Sequence, residues 1–513
     1  MSFREQGGQL LIRVSTTEPM SNAAILAIAP LLDIDFWPNA LESFRWFGDK
    51  GRRISSITSR VEAVHPLGRD WEALIFLDIS YVSGADSTWF IPIVFERKPS
   101  RPALFAVDAA DGQTWYGVDA AGNSAWQSRL FDNMKSGATT SLAGGGQLQW
   151  TTKASASELP SVAGRLLSGE QSNSSIVFGD QLIIKVMRRV VDGLNPDVEL
   201  GRYLTQHANV SSVPPLVADL TLEDGEFEAS IGIAQRFVPG AADGWTWLLE
   251  ELRRAHDNPA RQASTIDAIH ELGVQTAQLH QAMFEATDPS IAPEPITDDD
   301  LTGWTRSTLQ LMDTVGDALA QLAIGTHDPD RLQLLEAALQ AWPLIGVGVV
   351  GHEASSGLAK TRVHGDYHLG QTLLRDGKWF IIDFEGEPAR SLAERRARFS
   401  PLKDVAGMLR SIDYAKAMMV GEQRGWLDET NALNDAFIAG YRSAIAVEGL
   451  VPASEAAFND ALKPWVIDKA MYEILYELNN RPDWLVVPIA ALLRYIFMND
   501  LGNYAPGDVD AEP

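Results

Sequence analysis

The hydrophobic positions of this chain divide it into a front half with the pattern of strands and a back half with the pattern of helices. Residues 73–82 and 89–95 are runs of β-branched and aromatic side chains bounded by turn formers, which is the pattern of buried strands. A second group of short apolar runs follows, and we predict strands there as well. These strands lie at residues 175–178, 182–187 and 231–238.

One segment in the front half and most of the back half have apolar residues three and four positions apart. That spacing places the apolar side chains on one face of a helix. In the front half it occurs between the second and third strands of the later group, at residues 197–206. In the back half it predicts helices at residues 248–255, 264–284, 332–342, 405–419, 431–447 and 456–480.

These patterns give an α+β chain with three parts. We expect an N-terminal domain at 1–140, whose first twenty or so residues form a loose tail, and a strand-rich lobe at 141–240. A helical lobe then occupies 241–513, with a polar tail after Asn503. Residues 137–155 are rich in glycine, serine and threonine and predict a linker or an exposed hairpin.

Composition narrows the classes of protein. The 513 residues include no cysteine, which excludes disulfides, thiolate zinc sites and cysteine nucleophiles. The net charge of −26 disfavours nucleic-acid and anionic-membrane partners. No apolar run reaches the length that spans a bilayer, and the N-terminus does not have the pattern of a signal peptide. We therefore expect a cytoplasmic protein.

The segment from His364 to Gln371, followed by the strand-like run 379–382 and Asp383, carries the strongest chemical signal. Phosphoryl transfer needs a carboxylate that orients the attacking hydroxyl and accepts its proton, together with oxygen ligands for Mg²⁺. The spacing resembles the kinase catalytic loop H-x-D-x-x-x-x-N followed by D-F-G. We predict Asp366 as the base, with Gln371 in place of the usual asparagine and Asp383 as the metal ligands.

Upstream residues have the order expected of a nucleotide site. Lys185 closes a strand and could reach the α- and β-phosphates of ATP, and Glu199 on the following helix could pair with it. A lysine at a strand edge and a glutamate on a helix are also ordinary surface residues. A serine- and asparagine-rich turn could cradle phosphates through its N–H groups, or be a simple turn. The remaining residues expected to contact the nucleotide are Ser172, Asn173, Ser174 and Gln235.

The same residues carry a family resemblance. The sequence resembles the maltokinase family most specifically across the central segments and more thinly before residue 150. The matching segments are residues 45–51, 171–174, 195–199, 364–371, 383–390, 393–396, 400–410 and 472–484.

This resemblance implies a bilobal, protein-kinase-like fold of the aminoglycoside phosphotransferase type, preceded by a β-rich cap domain. It implies transfer of phosphate from ATP, with Mg²⁺, to the anomeric hydroxyl of maltose, giving maltose 1-phosphate for α-glucan synthesis from trehalose. It also implies a possible association with another enzyme of that metabolism.

The resemblance further implies which residues face the sugar. Helical spacing within residues 472–484 puts two tyrosines on one face and two glutamates on the next. Aromatic rings and carboxylates placed in this way suit sugar binding. Equally, one of the two pairs could face the core while the other is exposed to solvent. The sugar-facing residues implied are His368, Glu385, Tyr472, Glu473, Arg481 and Trp484.

Three alternatives remain open from the residues alone. An aminosugar kinase, such as a glucosamine kinase, would use Glu473 and Glu477 against a substrate ammonium. An aminoglycoside-type phosphotransferase is a weaker option on the same scaffold. A binding protein that has lost catalysis is disfavoured by the intact set formed by Lys185, Glu199, Asp366, Gln371 and Asp383.

Overall fold

The chain forms two compact units in the computed structural model. The first comprises residues 1–206 and 214–239, and the second comprises residues 207–213 and 240–513. The residues described are 2–6, 9–99, 101–153, 156, 159, 161–167, 172–208, 210–256, 258–388, 390–419 and 431–500. The expected phosphate-binding turn falls partly outside this set, at residues 169–171, and so does the expected polar tail after Asn503.

Strands dominate the first unit, and a three-stranded and a two-stranded sheet supplement the second. The strands are β1 (Ser2–Gln6), β2 (Gln9–Ser15), β3 (Ile54–Leu67), β4 (Asp70–Tyr81), β5 (Ser87–Glu96), β6 (Phe105–Asp108), β7 (Thr114–Asp119), β8 (Thr139–Ser141), β9 (Gln147–Thr152), β10 (Gly164–Leu166), β11 (Asn173–Phe178), β12 (Leu182–Met187), β13 (Arg189–Val190), β14 (Leu216–Asp224), β15 (Phe227–Arg236), β16 (Ala242–Asp243), β17 (Glu294–Pro295), β18 (Ala359–Lys360), β19 (Thr372–Arg375) and β20 (Lys378–Ile381).

Helices make up most of the second unit. The helices of the described residues are α1 (Asn22–Asp35), α2 (Trp37–Ser43), α3 (Ser124–Ser136), α4 (Pro196–Tyr203), α5 (Gly244–Ala255), α6 (Pro259–Phe284), α7 (Asp298–Gly325), α8 (Pro329–Val349), α9 (Leu392–Arg395), α10 (Leu402–Ala417), α11 (Ala432–Ala444), α12 (Glu455–Asn480) and α13 (Val486–Asp500).

Two cores share the central strands of the first sheet, whose order is β1-β2-β6-β7-β5-β4-β3 with β13 paired to β5. Alternate side chains of a strand point to opposite faces. In β4, Ile75 and Leu77 therefore join a core with α1, while Leu74 and Phe76 join a second core that includes α3. Because both faces are covered, β4 and β5 are apolar almost throughout, which made them visible in the sequence.

The second sheet has the order β10-β11-β12-β15-β14-β9-β8 and carries the nucleotide-site candidates. Strands β8 and β9 form a hairpin within the segment predicted to be a linker or hairpin. The expectation of a loose N-terminal tail is wrong for residues 9–15. These residues form β2, which pairs in parallel with β6, because Val14 contributes a buried side chain to the core under α1.

Close helix packing organises the second unit. A Cβ on Gly273 of α6 would lie 2.2 Å from the carbonyl oxygen of Phe437, and one on Gly440 of α11 would lie 2.0 Å from the carbonyl oxygen of His270. Only glycine permits this contact, so α6 and α11 pack backbone against backbone. Helix α6 also contacts the loop that carries Asp366, through Thr276 and Tyr367.

A separate helical core includes the one described helix that by itself is long and apolar enough to span a membrane. Residues 329–355, which contain α8, have the length and composition of a membrane span. The bent pair α1 and α2 also passes that test when it is counted as one span. Leu335 and Ile345 of α8 belong to the same buried core cluster as Ile467 and Ile474 of α12, and 33% of the apolar window is buried.

Candidate active site

A buried carboxylate shapes the loop that carries Asp366. Asp404 of α10 accepts hydrogen bonds from the backbone N–H of His364 (2.7 Å) and of Gly365 (3.0 Å). Its Oδ2 also lies 3.1 Å from Nε2 of His280. Burial raises the pKa of Asp404, but the hydrogen bonds and the charge of His280 outweigh it and hold that pKa below its usual value. Asp404 therefore fixes the turn as an ion.

Backbone geometry explains two glycines near this loop. Gly365 has φ +85°, a conformation that side chains disfavour. A Cβ on Gly407 of α10 would lie 2.6 Å from the carbonyl oxygen of Tyr367. The Tyr367 hydroxyl is held 2.8 Å from Oγ1 of Thr276 on α6. The loop is thus pressed between α6 and α10, with Asp366 on its less buried side.

The imidazole of His364 ties this loop to the segment that bears Asp383. Its Nε2 lies 2.9 Å from the carbonyl oxygen of Ile382, and its ring packs against Phe384 with centroids 4.9 Å apart. Asp383 has φ +69°, which is uncommon for a residue other than glycine. Strain of this kind persists where the surroundings enforce it, and it is typical of functional sites.

The hairpin β19–β20 brings the two predicted metal ligands together. Gln371 precedes β19 and accepts a backbone hydrogen bond from Ile382 at 3.0 Å, so it lies beside Asp383 at the same end of the hairpin. Carboxylate oxygens of Asp383 and Glu385 lie within 4.8 Å of each other. Carboxylate oxygens this close together fit the preference of Mg²⁺ for hard oxygen ligands, and Gln371 precedes the same hairpin.

Lys469 of α12 lies close to Asp366. It was not among the site residues predicted from the sequence. Its Nζ is 3.7 Å from Oδ1 of Asp366 and 3.7 Å from Oε1 of Glu387. Burial lowers the pKa of Lys469, but Asp366, Glu387 and Glu473 outweigh burial and raise that pKa above its usual value. The available signal was its helical spacing of three from Tyr472, since both then share one face.

Two of the predicted sugar-facing residues lie beside Asp366. Nε2 of His368 is 3.9 Å from Oδ2 of Asp366, while Nδ1 accepts from the N–H of Gly370 at 3.1 Å. Burial lowers the pKa of His368. The ring of Tyr472 lies 5.0 Å from Nζ of Lys469 and is only partly buried. His368, Tyr472 and Lys469 therefore surround the base.

Two other predicted sugar-facing residues engage neighbouring protein groups. Oε2 of Glu473 accepts from Nε (2.9 Å) and from a terminal nitrogen (2.7 Å) of Arg410, and its side chain is 12% exposed. Arg481 forms two hydrogen bonds with Glu477, and its guanidinium carbon is 5.1 Å from the Trp484 ring. The structure therefore does not present the Glu473 carboxylate to a sugar, because its buried partner Arg410 holds it.

The first unit holds the predicted nucleotide residues. Lys185 of β12 has its Nζ 3.6 Å from Oδ2 of Asp197, a fully buried carboxylate in the first turn of α4. Glu199, also buried, follows in the same turn. Asn195 caps this helix by accepting from the N–H of Asp197 at 2.8 Å. Two acidic residues at a helix N-terminus suit the helix dipole, and Asp197 is the one that lies at ion-pair distance from the lysine.

The remaining nucleotide candidates differ in their environments. Ser172 is exposed and Asn173 begins β11. The hydroxyl of Ser174 is buried and accepts from Nε of Arg188 at 2.9 Å, so the structure does not offer it to a phosphate. Gln235 lies near the end of β15, paired in register with Ile183, and is buried.

The central part of the chain is similar in sequence to known proteins. Residues 163–386 match the phosphotransferase enzyme family known as APH. A glucosamine kinase of Streptacidiphilus jiangxiensis is 25% identical over 334 residues, which cover 63% of this chain and 71% of that protein. A glucosamine kinase of Mycolicibacterium smegmatis is 25% identical over 351 residues, which cover 67% and 81%.

A solved structure has a similar fold. A glucosamine kinase in complex with glucosamine, ADP and inorganic phosphate superposes with a TM-score of 0.63 at 20% identity. The match covers 89% of this chain and 98% of that chain. At this identity the likeness establishes the fold, and it confirms the predicted α+β, protein-kinase-like class.

The fold and the site together define a phosphotransferase that uses an alcohol group as acceptor. The prediction of a kinase is therefore confirmed. More particularly, residues 163–386, which are less than half of the chain, match the APH phosphotransferase family. The relatives described above do not show the narrower resemblance to maltokinases.

Proposed function

We propose that this protein is an ATP-dependent sugar kinase whose acceptor is glucosamine. The placement of Asp366, with Gln371 and Asp383 at the adjacent hairpin end, carries the kinase part of the proposal. The two glucosamine kinases that match most of their own length support the choice of acceptor. This choice reverses the order of preference drawn from the sequence, where maltose came first.

The proposal assigns a separate role to the residues of each unit. Asp366 accepts the proton of the acceptor hydroxyl as its oxygen bonds to the γ-phosphorus of ATP, and the bond from that phosphorus to the β–γ bridging oxygen breaks to release ADP. Lys185 holds the α- and β-phosphates. Gln371 and Asp383, with Glu385 beside them, would hold Mg²⁺, which neutralises phosphate charge when bound.

Maltose remains the second candidate, for a specific reason. Tyr472, which belongs to the segment that resembles maltokinases, lies beside Lys469 next to the base. Phosphorylation of the anomeric hydroxyl, a cytoplasmic location and an association with an enzyme of α-glucan metabolism all belong to this alternative. An aminoglycoside acceptor and a catalytically inactive scaffold are the weaker alternatives.

A substrate panel tests the proposal. ADP release is measured with glucosamine, maltose and an aminoglycoside, each with Mg²⁺-ATP, for the wild-type protein and for Asp366→Asn. We expect turnover with glucosamine and a loss in Asp366→Asn of about a thousandfold or more in kcat, because the carboxylate that accepts the proton is gone.

Calorimetry of ATP binding with and without Mg²⁺ provides the control. Asp366→Asn should bind Mg²⁺-ATP as the wild type does, since Asp366 is not assigned to the metal. Turnover with maltose and none with glucosamine would show that maltose, and not glucosamine, is the acceptor. Metal-dependent ATP binding with no turnover on any sugar would contradict the proposal.

A further inference from the structure

We propose that Lys469 is a positioning residue for phosphoryl transfer, which shares its ammonium between Asp366 and Glu387 and so holds the Asp366 carboxylate toward the acceptor hydroxyl. The proposal rests on the role of Asp366 as the base. Nothing in the sequence motif assigns this role, because Lys469 is about a hundred residues downstream of the catalytic loop, on α12.

The distances define the kind of contact. A direct charged hydrogen bond from nitrogen to a carboxylate is about 2.7–2.9 Å long. Nζ of Lys469 lies 3.7 Å from an oxygen of each carboxylate, so it attracts both without a short bond to either. The lone pairs of Asp366 therefore stay available to the hydroxyl proton, while the direction of the carboxylate is still constrained.

The surrounding groups hold the ammonium in place. Ala470 and Met471, its neighbours on α12, are fully buried, so the helix cannot rotate without opening the core. Glu387 is 14% exposed and accepts from Nε of Arg390 at 3.1 Å, which fixes the second carboxylate. Glu473 and Tyr472 also face Lys469 from its own helix.

Removing the ammonium would change the balance of charge. Asp366 and Glu387 each have an oxygen 3.7 Å from the same ammonium, and its removal takes away the positive charge that they share. Like charges at such a distance repel, most strongly where solvent is limited. Asp366 would then turn away from the acceptor, and precise orientation of a reacting group is worth orders of magnitude in rate.

Lys469→Met and Lys469→Arg test the proposal with ADP release as the assay. We expect Lys469→Met to lower kcat by about 50-fold with every acceptor that the wild type uses, with little change in the KM for either substrate. Lys469→Arg should recover at least tenfold of that loss. Lys463→Met, on the same helix beside Gly348, is the matched control and should keep wild-type kcat.

A double-mutant cycle separates positioning from a general structural role. Glu387→Gln alone should lower kcat about fivefold. In the Lys469→Met background it should cause almost no further loss of kcat, because both residues act through the same contact. Additive losses, or a kcat of Lys469→Met within threefold of wild type, would overturn the proposal. Thermal unfolding of each variant identifies any loss of activity that is due to misfolding. If Lys469→Met misfolds, the kcat of Lys469→Arg is compared with that of the wild type instead.

An action of Lys469 on the acceptor must be distinguished from an action on the base, Asp366. If Lys469→Met changes only the KM for sugar, or shifts the ratio of glucosamine to maltose turnover tenfold at constant kcat, then Lys469 contacts the acceptor and the proposal is wrong. The same variants are assayed for ATP hydrolysis without sugar, where water is the acceptor. That comparison tests Lys469 even if the sugar assignment fails.

Discussion

At the scale of single residues, Asp404 links the helical core to the chemistry. It is 2% exposed and accepts from two consecutive backbone N–H groups of the catalytic loop. A buried N–H group left without an acceptor costs about 1–3 kcal/mol. The position of Asp366 therefore depends on a residue that is far from it in the sequence.

Asp404→Asn should weaken both the fold and the activity. The amide keeps one acceptor oxygen but turns an N–H donor toward another donor, so we expect the free energy of unfolding to fall by about 2–4 kcal/mol. We also expect kcat to fall at least tenfold. Denaturant unfolding and ADP release measure the two effects. Asp376→Asn, at an 88% exposed turn position, is the control and should change neither.

At the scale of elements, α12 presents two different faces to its surroundings. Lys469 and Tyr472 lie toward the base, whereas Glu473 pairs with Arg410 of α10, whose side chain is 2% exposed. Burial raises the pKa of Glu473 against the opposing effect of Arg410. The pair joins the two helices and is a structural feature of the second unit.

Glu473→Ala should destabilise the second unit through the charge left on Arg410. Breaking a buried pair on one side costs on the order of 3 kcal/mol, while Asp413 at 3.1 Å retains part of the compensation. The double variant Arg410→Met/Glu473→Met should lose less than Glu473→Ala, because no unpaired charge remains. A larger loss in the double variant, measured by denaturant unfolding, would contradict this account.

At the scale of the whole molecule, one buried histidine couples stability to pH. His352 is fully buried between aromatic rings, with Trp465 4.7 Å away, and its ring nitrogens have no hydrogen-bond partner among the described residues. Burial lowers the pKa of His352 to about 4. The folded chain therefore favours the neutral imidazole more than the unfolded chain does.

This shift predicts a loss of stability in acid. Because the folded pKa lies below the unfolded value of about 6.5, the contribution is complete above pH 6.5 and disappears as the pH falls to about 4. We expect a loss on the order of 3 kcal/mol across that window. His352→Phe should have a flatter dependence of the second unit's unfolding on pH. An unchanged slope would contradict the assignment to His352.

The sequence determined the elements whose cause is local or periodic. Strand β4 and helices α6 and α12 were predicted because burial on two faces or on one stripe leaves a clear pattern of apolar residues. The motif from His364 to Asp383 was predicted because its chemistry needs fixed residue types at short spacing.

Tertiary structure decided what depends on residues distant in the chain. Strand β2 was missed because its place follows from pairing with β6, about ninety residues later. The spacing of Glu473 could not reveal that it forms an ion pair with Arg410. The spacing of Lys469 could not reveal that it lies close to Asp366. Periodicity specifies a helix face, but only packing specifies which groups that face contacts.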